Sequence, residues 1–596
     1  MMSKFLSLII NKIFKRKKWV KNFMKIAKYI VDFLNEKNIA TIFGYIGGYN
    51  ADILDYFCEN KNNHFILNYH EQASAFAVNT YAELKEQVGV ATASGAPSFC
   101  NLVAGIANAY FDSHPCLFLV GSAHSLAIRK DKSVRQNAFE EIDTVAMVSD
   151  ITKYAVKIMD AKDVKYELEK AFYIANEGRK GPVLIDIPYD IARTDVNIDK
   201  CRTFEFPKEP EYDKFDMQQI LSKLSLAKRP VIMLGGGAGS YESRNLLNEL
   251  FKKVKIPAVA TLCGLDILSH DNECYSGFIG HYGNRYANLA LANSDFVLIL
   301  GSRLDERQLG GYKTTLQKDC FVVRVDIEKQ ELRRKINESL SYYSSVEKFL
   351  NEFVKQDFSK CSYSKWINCI QQWKKRYPSL DKDKTKVSAL NFLDKISDYL
   401  PENTIICADV GQNQMFAAQS LKLDKQRRLF NSAGYGSMGF SLPAAIGCAF
   451  AKPNTCIISI NGDGGIQMNI QELQTLKRDN LPVNIIVLNN KCLGMIRKTQ
   501  EKLFDGKNFV SVKGYQAPDF EQIAKAYDIP YLKINNIEGY KNVKDFLSSE
   551  HPTFIELCLP VQIENVPEPG SCLEYQTPIL SDNEFKIIER EIILWN

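Results

Sequence analysis

From residue 25 onward the chain alternates between two rhythms of hydrophobic and polar positions. In stretches such as KIAKYIVDFLNEKN (25–38) apolar residues recur three and four apart, the period of a helix with one buried face. Between such stretches lie short apolar or β-branched runs: TIFGYIGG (41–48), FILNY (65–69), VGVATAS (88–94) and CLFLVGS (116–122). Helices and strands in alternation predict parallel sheet with helices on both faces. The rhythm restarts at RPVIMLGGGAGS (229–240) and again after residue 386. The expected fold class is therefore α/β, with three doubly wound parallel-sheet domains at 24–190, 214–350 and 386–567, the first and third sharing one architecture. The polar, irregular residues 191–213 would link the first two, and residues 351–385, read as helical, the second and third. Residues 568–596 would form a tail.

One stretch concentrates the chemistry. TCIISI (455–460), NGDGG (461–465), QMNIQELQTLKRDN (467–480) and LPVNIIVLNN (481–490) read as strand, tight turn, helix and strand. In a parallel βαβ unit, Asp463 and Asn490 each follow the carboxyl end of a strand, the edge where ligands bind. Gly462, Gly464 and Gly465 allow a sharp turn close to a charged group, and the helix that follows offers free N–H groups to an anion. Two hard oxygen ligands there suit Mg²⁺ bridging protein to diphosphate, because Mg²⁺ takes one or two protein oxygens and completes its shell from phosphates and water. A glycine-rich βαβ turn with no ligand has the same pattern, so the turn alone does not decide.

Composition narrows the class. A chain of 596 residues exceeds what one core supports, in keeping with several domains. Its 45% hydrophobic and 24% charged residues belong to a globular protein and not to a disordered or fibrous one. The formal charge of +5 is small for this length and comes partly from residues 4–28, so nucleic acid is not an expected partner. Fifteen cysteines form no C-x-x-C pair and seven histidines are scattered among them, which argues against zinc and disulfide frameworks and for a reducing cytoplasm. Residues 1–23 join a short apolar run to the basic cluster KRKK (15–18). That run is too short to span a bilayer, and no small-residue cleavage site follows. It is read as a basic extension ahead of the globular part, the alternative being a membrane-surface helix.

NGDGG followed at this interval by NN (489–490) resembles the thiamine-diphosphate (ThDP) signature, and residues 25–580 as a whole resemble acetolactate synthase catalytic subunits. Within YHEQASAFAVNTYAE (69–83), HEQ and YAE look like the segment whose glutamate touches the aminopyrimidine ring. The resemblance makes Glu71 the catalytic carboxyl, favouring the imino tautomer that takes the C2 proton. A glutamate in a first helical turn is otherwise a dipole partner or cap. By the same comparison ThDP would contact Gly47, Glu71, Pro97 and Asn101 in the first domain. In the third it would contact Gln412, Asn413, Gly436, Met438, Gly462, Asp463, Gly464, Gly465, Asn490, Leu493, Gly494 and Met495. Met438, in AGYGSMGF (433–440), would prop the cofactor into a bent shape, where a methionine among small residues is otherwise a core gap-filler. Mg²⁺ would bind Asp463, Asn490 and the Cys492 carbonyl.

The segments 280–310 and 322–328 are similar to the family's FAD-holding middle domain, which implies FAD contacts at Arg179, Gly237, Tyr282, Arg303, Glu306 and Asp326. The glycines of RPVIMLGGGAGS lack dinucleotide spacing by themselves. In the family, ThDP lies between the first domain of one subunit and the third of its partner, which implies a homodimer or homotetramer with shared sites. The tail resembles a segment that closes over the active site.

The resemblance implies that a 2-oxo acid, with pyruvate the first choice, loses CO₂ and passes a two-carbon unit to a second carbonyl. An acetolactate synthase-like carboligase, as in branched-chain amino acid biosynthesis, is the reading. Transfer to a keto-sugar in surface polysaccharide synthesis and simple 2-oxo acid decarboxylation are the alternatives. Phe139, Glu140, Arg307 and Thr499 are the implied acceptor contacts. The chain departs from the family here: Thr499 stands for a tryptophan, Tyr189 for a lysine, Glu140 for a glutamine and Asn413 for a histidine. Losing a cation and gaining an anion weakens the case for a carboxylate-bearing acceptor, whereas Arg307 favours one. By residue pattern alone, Phe139 and Ile142 read as core positions.

Overall fold

The computed structural model describes residues 23–309, 316, 319–334, 336, 338–563, 566–568, 570 and 573–595; the basic extension of residues 1–22 lies outside them. Three six-stranded sheets carry the fold. Across the first run His64–Leu67, Thr41–Gly44, Gly89–Ser94, Cys116–Ser122, Val183–Pro188 and Tyr154–Lys157, all parallel. Across the third run Arg428–Asn431, Ile405–Ala408, Ile457–Gly462, Val483–Asn489, Thr553–Cys558 and Tyr531–Ile534, again all parallel. Numbered along the chain, both sheets have the order 2-1-3-4-6-5, so the two domains share a topology. Each sheet changes its direction of growth between its first and third strands. A crevice opens at the carboxyl edge of such a switch point. In the first domain it follows Gly44 and Ser94; in the third it follows Ala408 and Gly462.

The middle sheet runs Tyr275–Phe278, Ala258–Ala260, Pro230–Leu234, Phe296–Leu300, Phe321–Asp326 and Leu340–Tyr343. Its order, 3-2-1-4-5-6, is that of dinucleotide-binding sheets. Central strands such as Cys116–Ser122, Phe296–Leu300 and Val483–Asn489 are buried at every position. Helices on both faces leave neither side wet, which is why these strands read as continuous apolar runs instead of alternating.

The first and third domains meet through Glu71–Lys85 and Ser441–Ala451, two helices built largely from small residues. A Cβ at Gly447 would collide with the Ala77 carbonyl, and Thr80 Oγ1 donates to the Ala444 carbonyl at 2.8 Å. Glycine and alanine here let two backbones approach, so the helix is buried from Ala73 to Ala82 with almost no amphipathic contrast. Between the first and middle sheets, Asp195–Asn197 pairs antiparallel with Phe23–Lys25. Between the middle and third sheets, the helix Ser364–Arg376 buries Trp366 and Trp373 edge-to-face at 5.4 Å. Glu591 of the terminal helix accepts from Trp373 Nε1 and Arg376.

One element departs from the sequence reading. The single helix expected after NGDGG is a 3₁₀ segment, Ile466–Glu472, joined to a short α-helix, Leu473–Arg478, with Asn469 off helical geometry at φ −134° and ψ 31°. Long-range bonds decide this. Asn469 Nδ2 donates to the Gly439 carbonyl and to Gln72 Oε1. Glu472 accepts from Asn68 Nδ2 and from the main-chain nitrogens of Tyr69 and His70. These bonds tie the segment to the first domain at the cost of one regular helix.

Candidate active site

The turn after Ile457–Gly462 gathers most of the residues expected at a diphosphate site. Asp463 is 2% exposed, and among the described residues its Oδ2 has no hydrogen-bond partner. Burial pushes its carboxyl up to about 7. The Tyr515 hydroxyl faces it. A Cβ at Gly464 would stand 2.7 Å from Leu493 Cδ2, 3.3 Å from Tyr515 Oη and 3.7 Å from Met438 Cε. Gly494 lies so close to Gln412 that a Cβ would collide with Oε1, and Asn490 Nδ2 donates to that oxygen at 3.1 Å. Asn413 Oδ1 stands 3.0 Å from where a Cβ on Gly462 would be, while its Nδ2 donates to the Asp409 carbonyl. Glycine at 462, 464 and 494 is thus what lets Asn413, Met438 and Leu493 pack on the turn that carries Asp463, and Gln412 and Asn490 on the start of the helix that follows Leu493.

A buried carboxylate oxygen without a partner is costly unless something positive completes it. The donors beyond the two adjacent strand ends suit a small hard cation: the Asp463 carboxylate, Asn490 Oδ1, which among the described residues accepts one long 3.4 Å bond from the Cys492 nitrogen, and the main chain at Cys492.

The first domain supplies the opposite element. Glu71 opens the helix Glu71–Lys85, capped by His70 Nδ1, which accepts from the Gln72 nitrogen. Its carboxylate accepts from Ser98 Oγ at 2.7 Å and from Asn101 Nδ2 at 2.9 Å, both on the helix Gly95–Asp112. Gly47 packs against Ser94, which leaves no room for a Cβ, and this draws the loop after Thr41–Gly44 over the same crevice.

Three family profiles cover the chain in order: the thiamine pyrophosphate enzyme N-terminal TPP binding domain at residues 24–147, the central domain at 217–353 and the C-terminal TPP binding domain at 409–557. The chain belongs to the thiamine pyrophosphate enzymes. Among them it is similar to the acetolactate synthase large subunit of Lactococcus lactis, at 32% identity over 89% of this chain and 92% of that one. It is similar also to the acetolactate synthase isozyme 2 large subunit of Escherichia coli, at 30% identity over 91% and 96%. The large subunit of Pyropia yezoensis matches at 33% over 86% and 88%. It is therefore a ThDP-dependent enzyme of transferase type in the acetolactate synthase-like branch.

In this ThDP enzyme the middle-domain candidates divide. Arg179, Gly237, Arg303 and Asp326 line one cleft of ≈ 410 Å³ at the switch point of the dinucleotide-type sheet; Tyr282 and Glu306 are not among its lining residues. Residues of all three domains form its walls, including Asp112, Asp266 and Arg428. Gly235 and Gly237 press against Gly301, so the glycines of this turn serve first to seat two loops on each other. Burial pushes the Asp326 carboxyl up to about 6, and Arg179 is engaged by Glu328 at 2.8 Å.

The acceptor candidates do not form one cluster. Pro97, Phe139 and Glu140 share an open groove at the first domain's crevice. Arg307 is exposed on the short helix Glu306–Leu309, and Thr499 is exposed on Gly494–Leu503 with its hydroxyl spent on the Met495 carbonyl. Phe139 corrects the expectation of core packing, being 77% exposed. The loop turns outward at Glu140, φ 55°, and it is the Phe139 carbonyl, not its ring, that takes an internal bond, from the Tyr49 hydroxyl. Ile142 is half-buried against the first domain's core. Gly436, at φ +74°, has nothing within 4 Å of a would-be Cβ and lies in an open stretch before Met438.

Three further residues join the site. Asp409, fully buried below Gly465, accepts from the main-chain nitrogens of Gly439 and Phe440 and thereby holds the turn that carries Met438. Its place after the strand Ile405–Ala408 is the one signal of it in the sequence. Tyr515 lies in an irregular loop and has no such signal. Ser98 falls within the SGAPS turn, but its bond to Glu71 depends on two helices meeting.

Proposed function

We propose that this enzyme is a ThDP- and Mg²⁺-dependent carboligase that decarboxylates a 2-oxo acid, pyruvate first, and transfers the remaining two-carbon unit to a second carbonyl. The observation that carries the proposal is the buried Asp463 Oδ2, without a partner among the described residues, on a glycine turn packed against Leu493 and Met438 in a chain of this family. Bound ThDP supplies a carbon nucleophile and a sink for the electron pair left when CO₂ departs. Asp463, Asn490 and the Cys492 carbonyl would hold Mg²⁺ against the diphosphate. Met438 and Leu493 would wall the bend with apolar surface. Glu71, fixed by Ser98 and Asn101, would hold the proton exchanged with the aminopyrimidine.

The other expectations follow from the same reading. FAD would fill the middle cleft, bordered by Arg179, Gly237, Arg303 and Asp326. The site would be shared between subunits of a homodimer or homotetramer. Supporting that, Tyr45, Ile46 and Phe139 at the first crevice and Met468, Ile496 and Phe504 near the third are exposed apolar side chains. No helix among the described residues is long and apolar enough to cross a membrane, and the described cysteines are free, which suits a cytoplasmic enzyme.

The test is direct. Purified protein with ThDP, Mg²⁺ and carboxyl-labelled pyruvate should release labelled CO₂ and give a carbon–carbon coupled product. Cofactor binding without CO₂ from pyruvate or other 2-oxo acids would remove the assignment.

A further inference from the structure

The first domain's crevice carries a second carboxylate besides Glu71. Glu140 sits in left-handed backbone geometry, φ 55°, with its carbonyl accepting from the Ala96 nitrogen at 3.3 Å. Its Oε2 lies against Gly95, where a Cβ would collide with it. Ser98, on the next turn of the same helix, holds Glu71. Two carboxylates therefore border one stretch of helix, the catalytic candidate on one side and Glu140 on the other.

Aromatic rings complete this corner. Tyr49 Cδ2 stands 3.2 Å from the same Gly95 position, and its ring stacks on Tyr189 with centroids 5.7 Å apart and planes 14° from parallel. Three of the cations nearby are engaged elsewhere. Arg129 pairs with Glu141 at 3.4 Å, Lys157 with the buried Asp186 at 3.1 Å, and Arg193, stacked over Tyr189, with Asp52 at 2.9 Å. Arg135, exposed, lines the outer groove.

We propose that Glu140 and the Tyr49–Tyr189 ring pair set the choice of acceptor, favouring an uncharged, hydroxylated carbonyl compound over a second 2-oxo acid. This rests on the carboligase reading. A carboxylate-bearing acceptor entering this corner would meet a like charge, a repulsion magnified once water is excluded. An acceptor with hydroxyls would instead donate charge-assisted hydrogen bonds to Glu140 and lay its carbon skeleton on the ring pair. The balance is simple: the 2-oxo acid's carboxylate leaves as CO₂, its former carbonyl carbon bonds to the acceptor's carbonyl carbon, and the acceptor oxygen takes up one proton.

The experiment is a competition. The full chain with ThDP, Mg²⁺ and FAD receives labelled pyruvate and an equal concentration of dihydroxyacetone, and the labelled products are resolved by NMR. The wild type should couple to dihydroxyacetone in about tenfold excess over acetolactate, and Glu140→Gln and, separately, Tyr189→Lys should each shift that ratio about fivefold or more towards acetolactate. The ratio is internal to each sample, so a partly folded variant still reports it. Acetolactate as the main wild-type product, or a ratio unchanged in both variants, overturns the proposal while leaving the carboligase reading intact. Absence of CO₂ release by the wild type overturns both.

Discussion

Glu71 accepts from Ser98 Oγ on one oxygen and from Asn101 Nδ2 on the other, and because a hydroxyl can accept as well as donate, an amide at this position keeps both bonds and leaves its surroundings nearly unchanged. Glu71→Gln is expected to keep ThDP affinity within a few-fold while lowering turnover by about 10²-fold or more, as loss of an acid–base group does. Calorimetry for binding and CO₂ release for turnover separate the two. Asp463 answers to pH. Its folded value, about 7, lies above the ordinary 3.8, so its contribution to stability is complete below about 4 and is lost as pH rises through about 7. The metal-free protein should therefore lose stability over that interval in denaturant titrations. A cation must displace that proton, so Mg²⁺ affinity measured with ThDP present should fall by up to about tenfold per unit below pH 7. Asp409→Asn should cost about 1–3 kcal/mol, because an amide can accept at one end only and either the Gly439 or the Phe440 nitrogen, bonded to opposite oxygens, loses its partner.

At the scale of elements, the junction of Glu71–Lys85 with Ser441–Ala451 depends on an absent side chain. A methyl group at Gly447 strikes main chain, which cannot turn aside, so Gly447→Ala should destabilise by about 1–3 kcal/mol, seen as a lower denaturation midpoint at constant slope. Gly48→Ala, with nothing within 4 Å of the added carbon, should not. The alternation of helical and strand rhythms makes the elements legible in the sequence, because a parallel sheet with both faces covered leaves a nearly continuous apolar imprint. The segment 466–478 is not legible in the same way. Its apolar spacing suits a helix, but Asn469 and Glu472 spend their polar groups on Gly439, Gln72, Asn68 and the main chain of residues 69–70, partners far away in sequence. Phe139 misleads for a related reason. An aromatic residue says how much surface it has, not which way a loop in left-handed geometry turns it.

For the whole molecule, the shared-site reading makes a quantitative forecast. Glu71→Gln and Asp463→Ala chains, each inactive alone, should regain about a quarter of wild-type activity when unfolded together and reassembled, since random pairing in a two-fold dimer gives one intact site in half of the dimers. No recovery would show that both groups serve a site from one chain. The sequence by itself determined the three α/β units, the glycines at 462, 464 and 465 and the placing of Asp463 and Asn490 just beyond two strand ends, because these are local: strand ends, tight turns and short spacings are written in consecutive residues. The tertiary structure alone decided that Asp463 Oδ2 is left without a partner among the described residues, that Tyr515 faces it, that Asp409 lies against Gly465, and that Glu140 lies over Gly95 at the start of the helix whose Ser98 holds Glu71. Those facts depend on how far water is excluded and on which distant chains meet, and burial and long-range contact arise only when the whole chain has packed.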